Sequence, residues 1–340
     1  MTNNGVTIRE VARAAGVSAA TVSRALRGLP SVAPATREKV EAIAADLEYV
    51  PDPYAARLAS KRGHAIIVAV PLPGQWYYAQ IVAGAEAASS DAGLNINLHV
   101  VGDDLQRKHF IEDVLLQSRR VDGAILAGIP IEGRDLQALL DRDVLMVGVG
   151  ERIDGVFTVG INNFEAAREA TDHLIARGHR RIALLGGVPS GRGKLSIPSE
   201  REAGFRKAMG GAGLEVDEAM VLDANFSIRG GADAAHELLS LSRPPTAVFA
   251  LSDEMAAGAV QAAREAGVSV PDELAVMGFD DHDFAAAMGI TTVRQPVVEL
   301  GETATQALLE AVDGVRRTGV RILRHELIER DTTGPAPAAG

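Results

Sequence analysis

The sequence predicts a chain in two parts: a small all-α headpiece holding a helix-turn-helix, then a larger α/β core of two lobes on parallel sheets. Three observations predict it. Residues 6–27 show helical apolar spacing twice, with a glycine between. From Ala65 onward, apolar runs alternate with helical patterns, the mark of parallel sheets covered on both faces. The runs AIIVAVPL, LNINLHVV, VDGAILAG, DVLMVGVG, VFTVGIN, RRIALLGG, AMVLD, TAVFALS and ELAVMGF are more than one ordinary sheet holds, so the core splits into two lobes.

In chain order, Thr7 caps the first helix and Glu10, three residues on, reaches back to it. Ile8, Val11, Ala12 and Ala15 form one apolar face. Gly16 ends the helix, Val17 plugs the turn and Ser18 caps the next helix. There Val22, Ala25 and Leu26 point inward, leaving Ala19, Ala20, Ser23, Arg24 and Arg27 outward. A braced helix showing small, polar and arginine side chains suits the DNA major groove, with an ordinary helical hairpin in a core as the alternative. The candidate DNA contacts are Thr7, Ser18, Ala19, Ala20, Thr21, Ser23, Arg24 and Arg27. A third helix, 34–49, carries Val40, Ile43, Ala44 and Leu47 on one stripe, with Pro34 in its first turn. Pro51-Asp52-Pro53 then breaks the chain, and Asp52 and Pro53 start a short run, Tyr54–Ser60, too short to be helical without a partner.

Charge supports the division. The chain carries a net −11, yet residues 1–64 hold nine Lys/Arg against six Asp/Glu, a net +3, leaving −14 for the rest. A basic head on an acidic body puts the phosphate-attracting field at one end. Cysteine is absent, which removes disulfides and thiolate chemistry. The N-terminal MTNNGVTIRE has no apolar signal core and no segment reaches 18 uninterrupted apolar residues, so a soluble, cytoplasmic protein is expected.

Helical stretches at 79–92, 104–118, 164–178, 200–210, 229–240 and 253–267 separate the core strands. Open α/β sheets bind ligands at the carboxyl ends of their strands. The polar groups there are Glu151, Asn162–Asn163, Ser252–Asp253, Asp280–Asp281 and Gln295, of which Asn163 and Asp253 read best as caps or loop supports. The triplet Trp76-Tyr77-Tyr78 follows the first strand in a chain only 4% aromatic, with Tyr77 the best ligand-facing member. Enzyme readings fare poorly. GGVPSGRGKL has the wrong spacing for a phosphate loop, and Leu195 stands where Ser or Thr is needed. No G-x-G-x-x-G, G-x-S-x-G or H-E-x-x-H occurs, and Asp280-Asp281-His282-Asp283 reads better as a solvated loop than as a metal or acid/base site. The chain is read as no enzyme, with no metal and no cofactor.

Val6–Leu26, VTIREVARAAGVSAATVSRAL, followed by Pro and Leu seven apart at Pro51 and Leu58 and then an α/β body, resembles the lactose-repressor (LacI/GalR) family of bacterial transcription regulators from about Val6 to Asp331. The resemblance implies a periplasmic-binding-protein-like core and a homodimer on a pseudo-palindromic operator. It implies paired hinge helices in which Leu58 enters the minor groove beside Tyr54 and Ala55. The sequence departs from the family at Ala56, where an arginine is usual, with Arg57 beside it. The implied domains are 1–50 for DNA, 51–63 for the hinge, 64–331 for the core and 332–340 as a disordered tail. Within the core the N-lobe takes about 64–161 and 296–320, and the C-lobe about 162–295 and 321–331. The resemblance also implies that Arg201, before the Gly204-Phe205 pair, meets an effector's oxygens, and that Ser252, Asp280 and Gln295 touch ligand. Ser252 stands where the family usually has Asn. With Tyr77 and Glu151 these make the candidate effector site, suited first to a sugar or sugar derivative and second to a purine-like or other small metabolite. The function implied is a ligand-gated transcription regulator, a repressor in most of the family. The competing reading is a periplasmic-type binding or transport protein without a DNA role, against which residues 6–60 argue.

Overall fold

The computed structural model of the chain describes residues 6–26, 32–47, 49, 65–116, 121–187 and 196–337. The chain divides into two compact units, Met1–His64 and Ala65–Gly340. The first contains α1 (Ile8–Ala15), α2 (Ala19–Leu26) and α3 (Pro34–Asp46). The Glu10 carboxylate accepts both the Thr7 amide at 2.7 Å and the Thr7 hydroxyl at 2.8 Å, fixing the start of α1. Gly16 takes φ 69°, which lets the Val17 amide reach the Ala12 carbonyl at 3.0 Å and turns the chain sharply into α2. Val11, Ala15, Val22, Ala25 and Val40 form the buried centre. The expected third helix stops at Asp46; Tyr49 packs on the same cluster from outside it, its amide on the Ala44 carbonyl. Ala19, expected to face outward, is half-buried against this core.

The second unit opens with β1 (Ala65–Val70), α4 (Trp76–Asp91), β2 (Asn95–Val100), α5 (Asp104–His109, running into a π-helical Phe110–Leu115), β3 (Gly123–Ala127), α6 (Gly133–Asp141), β4 (Met146–Val149) and β5 (Phe157–Gly160). It continues with α7 (Asn163–Ala176), β6 (Ile182–Gly186), α8 (Ser196–Gly211), β7 (Val221–Asp223), α9 (Ile228–Leu239), β8 (Ala247–Ala250), α10 (Asp253–Glu265), β9 (Ala275–Met277), α11 (Asp283–Ala287) and β10 (Thr292–Arg294). It closes with α12 (Val297–Val312), β11 (Val320–Ile322) and β12 (Glu326–Ile328). One lobe is a six-stranded parallel sheet in the order β11-β5-β4-β3-β1-β2; the other is a four-stranded parallel sheet, β7-β6-β8-β9.

The apolar runs explain the layering. Every residue of β1 is buried, and its side chains alternate between two cores. Ile66, Val68 and Val70 pack with Ile81 of α4 and Leu300 and Leu308 of α12; Ile67 and Ala69 pack with Phe110, Ile111 and Leu139 on the other face. Helices α4 and α12 touch backbone to backbone at Gly84 and Gly301. A Cβ on Gly84 would collide with the Val298 carbonyl and one on Gly301 with the Ile81 carbonyl. The C-lobe sheet carries a single continuous core around Phe205, Phe249, Leu185 and Phe279.

Three expectations are corrected. The last passage between lobes falls at 323–325, because Arg321 and Ile322 still pair with Val159 and Gly160 in the N-lobe sheet. Helices α4 and α8 begin at Trp76 and Ser196, earlier than the periodicity suggested, since their first turns face the cleft and carry no alternation of apolar and polar residues. The tail is tied down from Thr332 to Ala336. The Val276 amide donates to the Thr332 carbonyl at 2.7 Å, Thr291 and Thr333 pair hydroxyls at 2.9 Å, and the Ala336 amide meets the Arg177 carbonyl at 2.9 Å. Backbone pairing, which composition does not encode, holds this Thr/Pro/Ala stretch.

Candidate DNA-reading surface and effector cleft

In the first unit, the Ser18 hydroxyl accepts the Thr21 amide at 3.1 Å and lies 2.9 Å from the Thr21 hydroxyl. Together they mark the N-terminus of α2, where backbone amides and the helix dipole favour a phosphate oxygen. Ala20 and Arg24 are exposed on the same helix, with Thr21 and Ser23 half-buried beside them. The Arg24 Nε–H donates to the Ala20 carbonyl at 3.1 Å, so its guanidinium lies along α2. Thr7 is exposed at the start of α1. Arg27, Tyr54, Ala55 and Leu58 lie outside the described residues.

In the second unit a cleft opens between the lobes. Its walls differ in origin. The N-lobe supplies Gln75, Tyr77 and Tyr78 from the start of α4 and Glu151 after β4. The C-lobe supplies Ile197, Pro198 and Arg201 from α8, Phe226 after β7, Ser252 and Glu254 at the start of α10, and Asp280 after β9. Five of the six expected effector residues, Tyr77, Glu151, Arg201, Ser252 and Asp280, therefore share this space. Gln295 does not line it. It is buried behind Asp280 and donates its Nε2–H to Asp280 Oδ1 at 2.5 Å.

Arg201 organises the floor. It is buried, with Nε donating to Asn163 Oδ1 at 2.9 Å, Nη1 donating to the Leu251 carbonyl at 2.7 Å and Nη1 lying 3.8 Å from Asp280 Oδ1. The guanidinium carbon sits 3.6 Å over the Phe279 ring centroid. Burial depresses the arginine's pKa, with Asp280 opposing the shift, while burial drives the Asp280 carboxyl well above the usual carboxylate range against the pull of Arg201. Asn163 thus does more than support a loop: it orients the arginine, while its neighbour Asn162 caps α7 by accepting the Glu165 amide at 3.1 Å.

Asp253 is structural, as expected. Fully buried, it accepts the Thr292 hydroxyl and the His282 amide, each at 2.7 Å, and so pins the loop that presents Asp280. Burial raises its pKa to about 7. The Ser252 hydroxyl is committed as the α10 cap, accepting the Met255 amide at 3.3 Å. Burial raises the Tyr77 phenol, keeping it neutral and a hydrogen-bond donor at physiological pH. Four of the five non-glycine residues with positive φ among the described residues, Asn225, Phe226, Asp280 and Asp281, lie in loops at this cleft.

Among the described residues the lobes approach each other at several places around the cleft. Gln75 Nε2–H donates to the Phe226 carbonyl at 3.4 Å, and the Ile197 amide donates to Glu151 Oε1 at 3.3 Å. Trp76, which does not line the cleft, stacks on His282 at 5.0 Å, and His282 stacks on Phe284 at 3.8 Å. Sequence reasoning missed Gln75, Ile197, Pro198, Phe226 and Glu254. For Glu254 a signal existed: it stands two residues after Ser252, at the same strand end. Among the described residues no three His, Asp or Glu side chains are placed to hold a metal, and no helix is long and apolar enough to cross a membrane.

Comparison with known proteins follows this geometry. Residues 7–52 match the model described as bacterial regulatory proteins, lacI family, and residues 171–333 match a periplasmic binding protein-like domain. The regulator DegA of Bacillus subtilis (strain 168) is 33% identical over 97% of this chain and 98% of its own. The repressor CytR of Escherichia coli (strain K12) is 33% identical over 97% of each chain. Among solved structures, a lac repressor dimer bound to operator and the anti-inducer ONPF superposes with a TM-score of 0.85, at 28% identity over 97% of this chain and 100% of that one. The transcriptional regulator CelR–cellobiose complex gives 0.71, at 32% identity over 96% and 99%.

Proposed function

Because this chain belongs to the lacI family of bacterial regulatory proteins, we propose that its cleft binds a hydroxyl-rich small molecule, a sugar or sugar derivative, and that occupancy sets the affinity of residues 1–64 for DNA. The chain is a DNA-binding transcription regulator with the two-part architecture of the lac repressor, and the transport-protein alternative falls with that result. The observation that carries the ligand reading is the buried Arg201–Asp280 pair, open to a two-walled cleft and held from behind by Asn163, Leu251 and Gln295. Such a floor offers donors and acceptors side by side, the pattern that vicinal hydroxyls match. The CelR–cellobiose complex, similar along nearly the whole chain, supports a carbohydrate.

The working form is a cytoplasmic homodimer on a pseudo-palindromic operator, with Thr7, Ser18, Ala19, Ala20, Thr21, Ser23, Arg24 and Arg27 facing DNA and Tyr54, Ala55 and Leu58 completing the grip. The ligand acts through its differential affinity for two lobe arrangements. A thermal-shift screen of sugars, sugar phosphates, nucleosides and nucleobases, followed by operator titration with and without each hit, tests this. A hit that raises the melting temperature and leaves operator affinity unchanged rejects the coupling.

A further inference from the structure

The charges lining the cleft are unbalanced. Among the described residues that line it, Glu151, Glu254 and Asp280 bring three carboxyl groups and Arg201 the one cation. That cation is already engaged: Nε and Nη1 serve Asn163 and Leu251, and Nη1 leans toward Asp280. Only Nη2 has no bond among the described residues. Glu254 is different again. It is half-buried at the start of α10, and among the described residues its carboxylate makes no hydrogen bond and no ion pair. The neighbouring Ser252 hydroxyl is turned toward the Met255 amide. Glu151 reaches across to the Ile197 amide, whereas Glu254 lines the cleft with no such bond among the described residues.

Resting on the ligand reading above, we propose that Glu254 sets the charge class of the effector. The cleft takes a neutral or amine-bearing polyol and turns away phosphorylated and carboxylated ones. A phosphate here meets a guanidinium already engaged by Asn163, Leu251 and Asp280, with the carboxyl groups of Glu151 and Glu254 on the same lining, so like-charge repulsion opposes it. A hydroxyl-rich neutral ligand uses Nη2 as donor and the carboxylates as acceptors. An ammonium group fills the vacant acceptor at Glu254 with a charge-assisted bond. The negative field reaches beyond the cleft: Glu254 raises the pKa values of Asp280 and Asp253 and partly offsets the burial that lowers His282, whose ring stacks on Trp76.

That stack supplies a readout independent of any ligand, because Trp76 is the sole tryptophan of the chain. Fluorescence quenching of the full-length protein by caesium and by iodide is expected to favour caesium at least two-fold, with Glu254→Gln narrowing the ratio. Equal quenching by the two ions, or a ratio unmoved in the variant, overturns the field argument. In parallel, glucose, glucosamine and glucose 6-phosphate, together with cellobiose and with cytidine and its 5′-monophosphate, are titrated calorimetrically. Phosphorylated members are expected to bind at least 30-fold more weakly than their neutral partners, and Glu254→Gln to erase any advantage of the amine. Tight binding of a phosphorylated member overturns the proposal. Silence from the whole panel counts against the carbohydrate reading instead, and the quenching ratio then decides the charge rule alone.

Discussion

The two walls of the cleft are built on opposite plans. The C-lobe wall is a preassembled polar network: Arg201, Asp280, Asn163 and Gln295 are each 6% exposed or less and bonded within this wall. The N-lobe wall is aromatic, with Tyr77 and Tyr78 edge-to-face at 5.2 Å and Glu151 as its one charged group. A preassembled network loses little order on binding, so under the proposed function recognition is expected of the C-lobe wall. The aromatic wall contributes apolar area, and two polar links that cross from it to the C-lobe are long, at 3.3 and 3.4 Å.

Breaking the polar wall has the largest expected effect. Arg201→Ala removes the charged donor and leaves Asp280 buried without its cation, so effector affinity falls at least ~100-fold, about 3 kcal/mol, by calorimetric titration. Operator binding without effector is retained; an unchanged titration would sink the assignment of the cleft. Next comes the support beneath that wall. The Asp253 pKa is raised to about 7 in the fold against an ordinary 3.8, so the folded state holds a proton that the unfolded state releases. Its contribution to stability is therefore complete below pH 4 and is lost as pH rises toward 7, with a slope of up to about 1.4 kcal/mol per pH unit. Asp253→Asn keeps an acceptor for the His282 amide, and the Thr292 hydroxyl can reverse to accept. Melting temperatures between pH 5 and pH 7 should flatten in the variant relative to wild type, and parallel profiles would show that Asp253 is not the group responsible.

How far could this contrast be read from residues alone? Arg201, Asp280, Glu151 and Ser252 stand out because polar groups after strands face a cleft in any open α/β sheet. Ile197, Pro198 and Phe226 do not, since an apolar side chain lining a cavity has the same local signature as one filling a core. Gln295 was placed one layer too far forward because sequence shows adjacency to the cleft and not depth behind it. The headpiece was legible almost to the residue, as capping and glycine turns are local chemistry. The docking of Thr332 and Thr333 depends on β9 and on the loop before β10, some forty to fifty-five residues earlier in the chain, a long-range pairing that no window of composition reports.

Changes to the aromatic wall sharpen the comparison at smaller scale. Tyr77→Phe removes one neutral hydroxyl and should weaken effector binding by about 1 kcal/mol, five- to ten-fold, with operator affinity unchanged. A loss as large as that of Arg201→Ala would erase the distinction between the walls. The smallest effect is expected at the seam. Trp76→Phe keeps a ring on His282 but trims the stack, which is worth about 0.5–1.5 kcal/mol in full. Intrinsic effector affinity should move less than three-fold, whereas the effector concentration that half-shifts operator binding moves in proportion to the altered lobe equilibrium. Identical dose curves in the two proteins would show that the stack plays no part in closure.

The three passages between lobes lie side by side. The Leu323 amide bonds the Gly160 carbonyl beside the first, and Arg294 pairs with Glu326 beside the second. A joint laced at three adjacent passages resists sliding more than tipping. Gln295 is a link of the middle passage, and its amide grips the carboxyl group on the cleft floor. Under the proposed function, a guest that tugs on Asp280 would pull on the pivot itself and deliver torque rather than displacement.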